Sequence, residues 1–184
     1  MLLAGIFLII IVTLVLLTVI AFFISGFTSI FYGAPYVPIS KKLIKDLLIF
    51  GELSSQDIFY DLGSGDGRVL LSAVQYFNVK KAVGCEISPW PYLKSRILAR
   101  NLGLRILVKR ENILKTDLAD ATFVFMYLFP RLIDEVVYRI EVRADSGTKI
   151  LCPGFEINLN KHPGLKLIKS KKVDKIMAYL YEKL

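Results

Sequence analysis

The stretch DLGSGDG, residues 61–67, combines three glycines with two acids. Closely spaced glycines allow a tight turn and let a ligand approach the main chain more closely than a larger residue would permit. The acids at Asp61 and Asp66 restrict that ligand further, because carboxylates attract cations and repel phosphates. The stretch therefore predicts a binding turn whose acids discriminate among nucleotide-like ligands.

The residues around this turn depart from both common phosphate-binding motifs. The dinucleotide fingerprint G-x-G-x-x-G needs its third glycine where Arg68 stands, and two carboxylates would repel a pyrophosphate more than a helix dipole could offset. No G-K-[ST] pair follows the glycines, which excludes a P-loop by residue type. S-adenosylmethionine removes the conflict, since it carries an ammonium group and a sulfonium but no phosphate.

A third acid, Glu86, supports the same ligand. It follows the apolar segment KAVGC, about 20 residues past the turn, where an acid on the neighbouring strand can accept hydrogen bonds from both ribose hydroxyls. The pair of motifs DLGSGDG and GCEIS is more specific than either motif alone.

The elements that would position these acids form an alternating pattern. Strands are predicted at 58–62, 81–87, 105–110, 121–129 and 148–154, and helices at 67–77, 89–102 and 130–143. This alternation predicts a doubly wound α/β fold with a parallel sheet and helices on both faces. Ligands bind such sheets at the carboxyl ends of the strands, where Asp61 and Glu86 lie.

Three further features of the pattern are specific enough to be checked. Segments 165–170 and 175–184 resemble strands joined by the polar turn KKVD, so the sheet should end in an antiparallel hairpin. A short helix is predicted at 41–50, capped by Ser40 and closed by a glycine. In the helix that starts at Pro89, the apolar spacing predicts inward-facing side chains at Leu93, Ile97 and Leu98.

The amino-terminal segment has a different composition from the rest of the chain. Leu2 to Ile24 is uncharged, and as a helix it would reach roughly 34 Å, enough to cross a hydrocarbon core of about 30 Å. No basic residue precedes it and it ends in bulky side chains, so a membrane anchor is favoured over a secretory signal. The predicted organisation is a transmembrane anchor at 1–26, a linker with a short amphipathic helix at 27–51, and an α/β domain at 52–184.

The distribution of charge predicts how such an anchor would be oriented. Lys41, Lys42 and Lys45 follow the apolar segment, so the positive-inside rule places the α/β domain in the cytoplasm, or at an inner membrane in an organelle. The whole formal charge of +8 belongs to residues 41–184. That charge suits either an anionic membrane surface or an acidic partner, including nucleic acid.

The motifs at 61–67 and 86, with the terminal hairpin, resemble those of the seven-strand S-adenosylmethionine-dependent methyltransferases over residues 52–184. This resemblance implies a cofactor-binding set consisting of Asp61, Gly63, Ser64, Gly65, Asp66, Gly67, Glu86 and Asn112. In that family the first acid and the glycines line the methionine part, Glu86 binds the ribose, and Asn112 lies near the adenine. Asp66 could equally cap the following helix.

A narrower resemblance depends on the order of the segments APYVPIS, DLGSGDGRVL, YLFP and CPGFEINLNKHPG, behind an apolar amino terminus. This order is similar to that of the membrane-anchored protein-lysine methyltransferases that modify the adenine nucleotide translocase and the ATP synthase c-subunit. It implies transfer of a methyl group to a lysine of a protein, with Tyr36 and Pro38 folded over the cofactor as a lid. The alternative for PYVP is an interfacial elbow after the membrane helix.

Methyl transfer to lysine needs alignment of the reacting atoms and a slot that favours the neutral amine. The segment FVFMYLFP can build that slot, with Tyr127 and Phe129 as walls, or it can be a buried strand and nothing more. Tyr127 and Tyr36 are therefore the candidate catalytic residues.

Other functions remain open from the sequence. The positive charge would suit an RNA or DNA methyltransferase, but YLFP lacks the [DNS]-P-P-[YFW] motif that holds a flipped base. A membrane protein that binds the cofactor without turnover is the third possibility. No metal site is expected, because Cys85 and Cys152 fall in apolar strands and His162, the single histidine, lies in a turn-like segment.

Overall fold

The computed structural model describes residues 2–31, 39–100 and 105–184, with side chains of the first range described as far as residue 23. The helices are α1 (Leu2–Phe31), α2 (Lys41–Phe50), α3 (Arg68–Phe77), α4 (Pro89–Arg100) and α5 (Pro130–Arg143). The strands are β1 (Ile58–Leu62), β2 (Lys81–Cys85), β3 (Ile106–Lys109), β4 (Phe123–Met126), β5 (Lys149–Pro153), β6 (Leu165–Val173) and β7 (Ile176–Lys183). A short 3-10 turn at Ile113–Lys115 follows β3.

The strands form one mixed sheet in the order β3-β2-β1-β4-β5-β7-β6. The first five strands in the chain are parallel, and β7 pairs antiparallel with both β5 and β6. This confirms the predicted fold, a doubly wound α/β sheet that ends in a hairpin. Strand order reverses at β1 and β4, so the glycine turn after β1 lies at the switch point, where such sheets bind ligands.

Two hydrophobic clusters cover the two faces of the sheet. Helices α2 and α3 pack on one face with Phe59, Phe123 and Phe125, and α4 adds Ala99 to the same layer. Helix α5 covers the other face with a buried apolar stripe. The sheet is therefore enclosed between an α2–α3–α4 layer and an α5 layer.

Helix α2 is part of this core. Ser40 caps it through a hydrogen bond from the Leu43 N–H, and Leu47 and Leu48 are fully buried. At its end, a Cβ on Gly51 would lie 2.7 Å from the Phe123 ring, which leaves room only for glycine. We propose that the folded domain begins at α2 and not at residue 52.

The structure corrects two predicted boundaries. Helix α1 continues through Gly26 to Phe31 and does not end near residue 26, because a single glycine costs a helix only about 1 kcal/mol. The hairpin turn is Asp174–Lys175 and not residues 171–174, since β6 extends to Val173 and Asp174 adopts φ 53°.

The predicted inward face of α4 is wrong for Leu93 and Ile97, whereas Leu98 is half-buried. Leu93 is 46% exposed and Ile97 is 54% exposed, while Ser95 is the only buried residue among those that the structure describes for this helix. The small Ser95 side chain lets α4 approach the glycine turn closely, and that approach turns the apolar side chains outward.

Helix α1 contains one stretch, Leu2–Phe23, that is long and apolar enough to cross a membrane. All of its side chains are exposed. It is a candidate span by length and composition.

His162 lies in the loop before β6, as predicted, but its side chain is buried in the core. It is 5% exposed, and its Nδ1 lies 2.9 Å from Glu141 of α5. Burial also raises the thiol pKa of Cys85 and of Cys152 to about 12. All three side chains are buried, and none of the described residues forms a group that could hold a metal ion.

Candidate cofactor and substrate site

The turn after β1 is built on left-handed glycines. Gly63, Gly65 and Gly67 have φ angles of 85°, 53° and 82°, which other residues rarely adopt. The N–H groups of Gly63 and Ser64 both donate to the Cys85 carbonyl, at 2.9 and 3.0 Å. The turn is thereby tied to the carboxyl end of β2, beside the strand that leads to Glu86.

Neighbouring segments pack so closely at two glycines near the turn that an added Cβ would clash. A Cβ on Gly67 would lie 2.4 Å from the Ser95 Oγ of α4, and a Cβ on Gly84 would lie 2.7 Å from the Ser64 Oγ. Sequence reasoning missed Ser95, which belongs to no motif, and gave no role to Gly84 of the GCEIS motif, because the importance of both comes from contacts across the fold. There is no space for a larger residue at Gly67 in the turn or at Gly84 in the neighbouring β2.

Asp61, the residue before the last of β1, has an unsatisfied carboxyl oxygen. The side chain is 2% exposed and its Oδ2 has no hydrogen-bond partner among the described atoms. Burial raises the pKa of this carboxyl well above its ordinary value, and the nearby Glu86 and Asp66 raise it further. A cationic ligand would relieve both effects, so Asp61 fits the ammonium group of S-adenosylmethionine.

Glu86 holds the turn in place as well as facing the site. Its Oε2 accepts a hydrogen bond from the Gly65 N–H at 2.9 Å and its Oε1 accepts one from the Ser88 N–H at 2.7 Å. A carboxylate oxygen can accept a second hydrogen bond, so both oxygens retain capacity for hydroxyl groups. Glu86 therefore fits a ribose, and its assignment as the ribose acceptor stays a prediction.

Asp66 is paired with a residue that sequence reasoning passed over. Arg68 donates from Nε and Nη2 to the two oxygens of Asp66, at 2.9 and 2.7 Å, and from Nη1 to the Ile39 carbonyl at 2.9 Å. The same arginine that breaks the dinucleotide fingerprint thus neutralises Asp66 and attaches the turn to the segment before α2. Asp66 also accepts the Arg68 N–H at 3.3 Å, but the N-cap position of α3 is occupied by Gly67, which has no side chain to cap the helix.

Asn112 lies at the same edge of the sheet, after β3. Its Oδ1 accepts the Leu114 N–H at 2.9 Å and so begins the 3-10 turn. The neighbouring Glu111 accepts from Thr116 Oγ1 at 3.1 Å and from Cys85 Sγ at 3.3 Å. The structure brings Asn112 to the expected side of the sheet, and its proximity to an adenine stays a prediction.

Tyr127 follows β4 and is half-buried. Its ring would lie 3.3 Å from a Cβ on Gly154, which follows β5 with φ 90°. The next residue, Leu128, would lie 3.1 Å from a Cβ on Gly63. Tyr127 therefore lies between the ends of β4 and β5, beside the glycine turn.

The other candidate catalytic residue, Tyr36, lies outside the described residues, as does Pro38. The structure thus brings together Asp61, the glycine turn, Glu86 and Tyr127 at one edge of the sheet. It does not bear on the predicted lid.

Solved structures with the same fold define the class. An RNA methyltransferase from Salinibacter ruber, in complex with S-adenosyl-L-homocysteine, superimposes with a TM-score of 0.72 at 23% identity over 80% of this chain and 94% of that chain. A putative methyltransferase from Escherichia coli gives a TM-score of 0.65 at 16% identity over 82% of this chain and 89% of that one. The fold is that of the S-adenosylmethionine-dependent methyltransferases.

The family model of the ANTKMT methyltransferase domain matches residues 61–162, and the chain belongs to that family. A protein-lysine N-methyltransferase of Saccharolobus islandicus is 34% identical over 67% of this chain and 78% of its own length. The mouse adenine nucleotide translocase lysine N-methyltransferase is 27% identical over 67% of this chain, and the mouse lysine N-methyltransferase of the ATP synthase c-subunit is 24% identical over 66%. These alignments span 54% and 49% of the two mouse proteins.

Family membership and site chemistry agree on the cofactor. The family is one of S-adenosylmethionine-dependent protein-lysine methyltransferases. The unsatisfied Asp61 oxygen suits the cationic end of that cofactor, and Glu86 suits its ribose.

Proposed function

We propose that this chain methylates a lysine side chain of a membrane-associated protein. The observation that carries the proposal is the unsatisfied, buried Asp61 oxygen beside the glycine turn, in a chain whose relatives are lysine methyltransferases. When bound, S-adenosylmethionine supplies an electrophilic methyl group on a positively charged sulfur. The membrane-associated substrate is inferred from α1 and from the names of the two mouse relatives.

In this proposal the described residues bind and orient, and none acts as an acid or base. Asp61 holds the ammonium group of the cofactor, and Glu86 holds the ribose while fixing the turn through the Gly65 N–H. A lysine that enters between the ends of β4 and β5 meets the Tyr127 ring, an apolar wall that favours the neutral amine. Alignment and exclusion of water then supply the rate enhancement.

Glu86→Ala is expected to lower methyl transfer at least about 100-fold, because it removes the charge-assisted hydrogen bonds from the Gly65 and Ser88 N–H groups together with the proposed contact to the ribose. The measurement is transfer of labelled methyl groups to a membrane-protein fraction, followed by mass spectrometry of methyl-lysine. Glu135→Ala, an exposed acid on α5, is the matched control and should retain full activity.

The same assay distinguishes the alternatives. RNA and DNA are offered to the protein in parallel with the membrane fraction. Label in nucleic acid, or cofactor binding with no product at all, would contradict the proposal. Methyl-lysine that is unaffected by Glu86→Ala would contradict the assignment of the site.

The role of Tyr127 can be tested by comparing two substitutions. If the ring serves as a wall, Tyr127→Phe should stay near wild type, whereas Tyr127→Ala should lower kcat about 100-fold through loss of alignment. Tyr138→Ala, which removes an exposed ring on α5, is the control. Equal loss in Tyr127→Phe and Tyr127→Ala would assign the function to the hydroxyl group instead.

The position of the chain relative to the membrane is part of the proposal. Helix α1 is taken as a single-pass anchor, with the methyltransferase domain on the cytoplasmic side because the first lysines follow the helix. Resistance to carbonate extraction tests the anchor, and protease access from each side of sealed vesicles tests the orientation.

A further inference from the structure

Helix α4 carries an apolar face that is exposed in the described part of the chain. Trp90, Leu93 and Ile97 lie at i, i+3 and i+7, so they share one side of the helix, and they are 46%, 46% and 54% exposed. A soluble domain usually turns such a stripe into its core. Here the core side of α4 is instead occupied by Ser95 and the half-buried Ala99.

Basic residues flank this apolar face, and α4 contains no acid. Its charged residues are Lys94, Arg96 and Arg100. The Lys94 Nζ lies 5.8 Å from the centre of the Trp90 ring. Tryptophan and leucine beside lysine and arginine are typical of helices that lie in the interface of an anionic bilayer.

The excess of positive charge extends over the whole α2–α3–α4 layer. The three helices contain seven basic residues, Lys41, Lys42, Lys45, Arg68, Lys94, Arg96 and Arg100, and one acid, Asp46; Asp66 of the turn balances the charge of Arg68, which leaves six. Exposed Ile49 and Tyr76 add to its surface, with the Lys45 Nζ 5.1 Å from the centre of the Tyr76 ring. This layer is both basic and partly apolar.

Helix α5, on the opposite face of the sheet, provides an internal comparison. It has three basic residues, Arg131, Arg139 and Arg143, and three acids, Asp134, Glu135 and Glu141. The excess of positive charge is therefore confined to one helix layer among the described helices. A general need for solubility would not produce this difference between the two faces.

We propose that the α2–α3–α4 layer lies on the anionic surface of the bilayer that α1 crosses, with Trp90, Leu93 and Ile97 inserted at the headgroup level. This inference rests on the proposed membrane anchor. It is supported by the contact between α1 and α4 and by α2, whose three lysines follow the candidate span. The occupant is a lipid surface, because negative headgroups match the lysines and arginines while acyl chains match the apolar stripe.

Docking of this layer would also orient the site. Helix α4 begins three residues after Glu86, and its Ser95 packs under Gly67 of the turn. The cofactor site is thereby held directly above the membrane surface. A substrate lysine near the headgroups could then reach Tyr127 without a domain rearrangement.

Trp90 is the only tryptophan of the chain, so its fluorescence reports on α4 alone. The full chain is reconstituted into vesicles of phosphatidylcholine, or of phosphatidylcholine and phosphatidylglycerol in equal parts. In the anionic vesicles we expect emission shifted to shorter wavelength, quenching by lipids brominated on the acyl chains, and protection from acrylamide. Emission that is as accessible to acrylamide as in detergent, with no quenching by brominated lipid, would overturn the proposal.

Charge substitutions provide a matched comparison. Lys94→Gln, Arg96→Gln and Arg100→Gln together should weaken docking by about fivefold per residue. Arg131→Gln, Arg139→Gln and Arg143→Gln on α5 remove the same charge and should leave Trp90 quenching unchanged. Equal loss in the two variants would mean that net charge alone drives binding, and the layer would not be a docking face.

The outcome is separable from that of the proposed function. Carbonate resistance reports whether α1 is inserted in the same vesicles, and methyl-lysine formation in detergent reports the chemistry. If both succeed while Trp90 stays in water, only the docking proposal fails. A Tyr138→Trp probe in a Trp90→Phe background should remain accessible to acrylamide, because it lies on the opposite layer.

Discussion

Asp61→Asn is expected to stabilise the cofactor-free protein and to abolish methyl transfer. The folded-state pKa of Asp61 lies well above its ordinary value, mainly because of burial and also because of Glu86 and Asp66. The folded state therefore holds a proton that the unfolded state releases above the ordinary aspartate pKa. Between those two pKa values stability falls as pH rises, and above the folded-state pKa the loss is complete. A neutral asparagine avoids this loss.

The measurement is the melting temperature of both proteins across a pH series, with and without S-adenosylmethionine. We expect the asparagine variant to melt several degrees higher near neutral pH without the cofactor, given about 3 °C per kcal/mol for a domain of this size. The advantage should disappear toward acidic pH, where the wild-type carboxyl is protonated. Added cofactor should raise the melting temperature of the wild type alone.

Asp145→Asn, on the surface, is the control and should change neither the melting temperature nor methyl transfer. A cofactor-free Asp61→Asn protein that melts lower than the wild type would mean that the buried carboxylate makes favourable contacts, contrary to the interpretation of its unsatisfied oxygen. Retained methyl transfer would show that Asp61 is not a cofactor ligand.

Gly67→Ala should cause the second large effect. A Cβ at this position combines a left-handed φ of 82° with a 2.4 Å contact to the Ser95 Oγ. The left-handed conformation alone costs about 1–2 kcal/mol for a residue with a side chain, and overpacking adds about 1–3 kcal/mol. We expect a clear drop in melting temperature together with loss of cofactor binding, because α4 or the turn must move.

Gly147→Ala separates strain from the clash. Gly147 has φ 87°, yet a Cβ there would meet nothing within 4 Å. This variant should lose only the stability attributable to φ and should bind cofactor normally in a calorimetric titration. Adding Ser95→Gly to Gly67→Ala should restore part of the binding. If Gly147→Ala impaired cofactor binding as much as Gly67→Ala, the close packing at Ser95 would not be the cause.

Much of the fold was predictable because its signals are local. Ser40 and Gly51 bound α2 as their types predict, and the alternation of strands and helices determined the layers. The exposed side of α4 was not predictable, since Leu93 and Ile97 have the spacing of a core stripe. What turns them outward is the contact of Ser95 with Gly67, which joins two segments far apart in sequence.

The residues of the site also divide into those that local sequence signals predict and those whose role depends on distant contacts. Asp61, the glycines and Glu86 are recognisable by their type and spacing. The interaction of Arg68 with the Ile39 carbonyl is not, because an arginine in that place looks only like a missing glycine. Its role depends on a segment 29 residues earlier in the chain, and no local pattern contains that information.

The Arg68–Ile39 hydrogen bond has a mechanical consequence once α1 is anchored. Phe31 and Ile39 are separated by seven residues, so their Cα atoms can be at most about 30 Å apart. Ile39 is attached to the cofactor turn through Arg68. The seven-residue linker therefore also limits how far the cofactor turn can lie from the end of α1. In the proposed membrane-anchored arrangement, lysines close to the bilayer are within reach of the site, and identical lysines farther into the solvent are not.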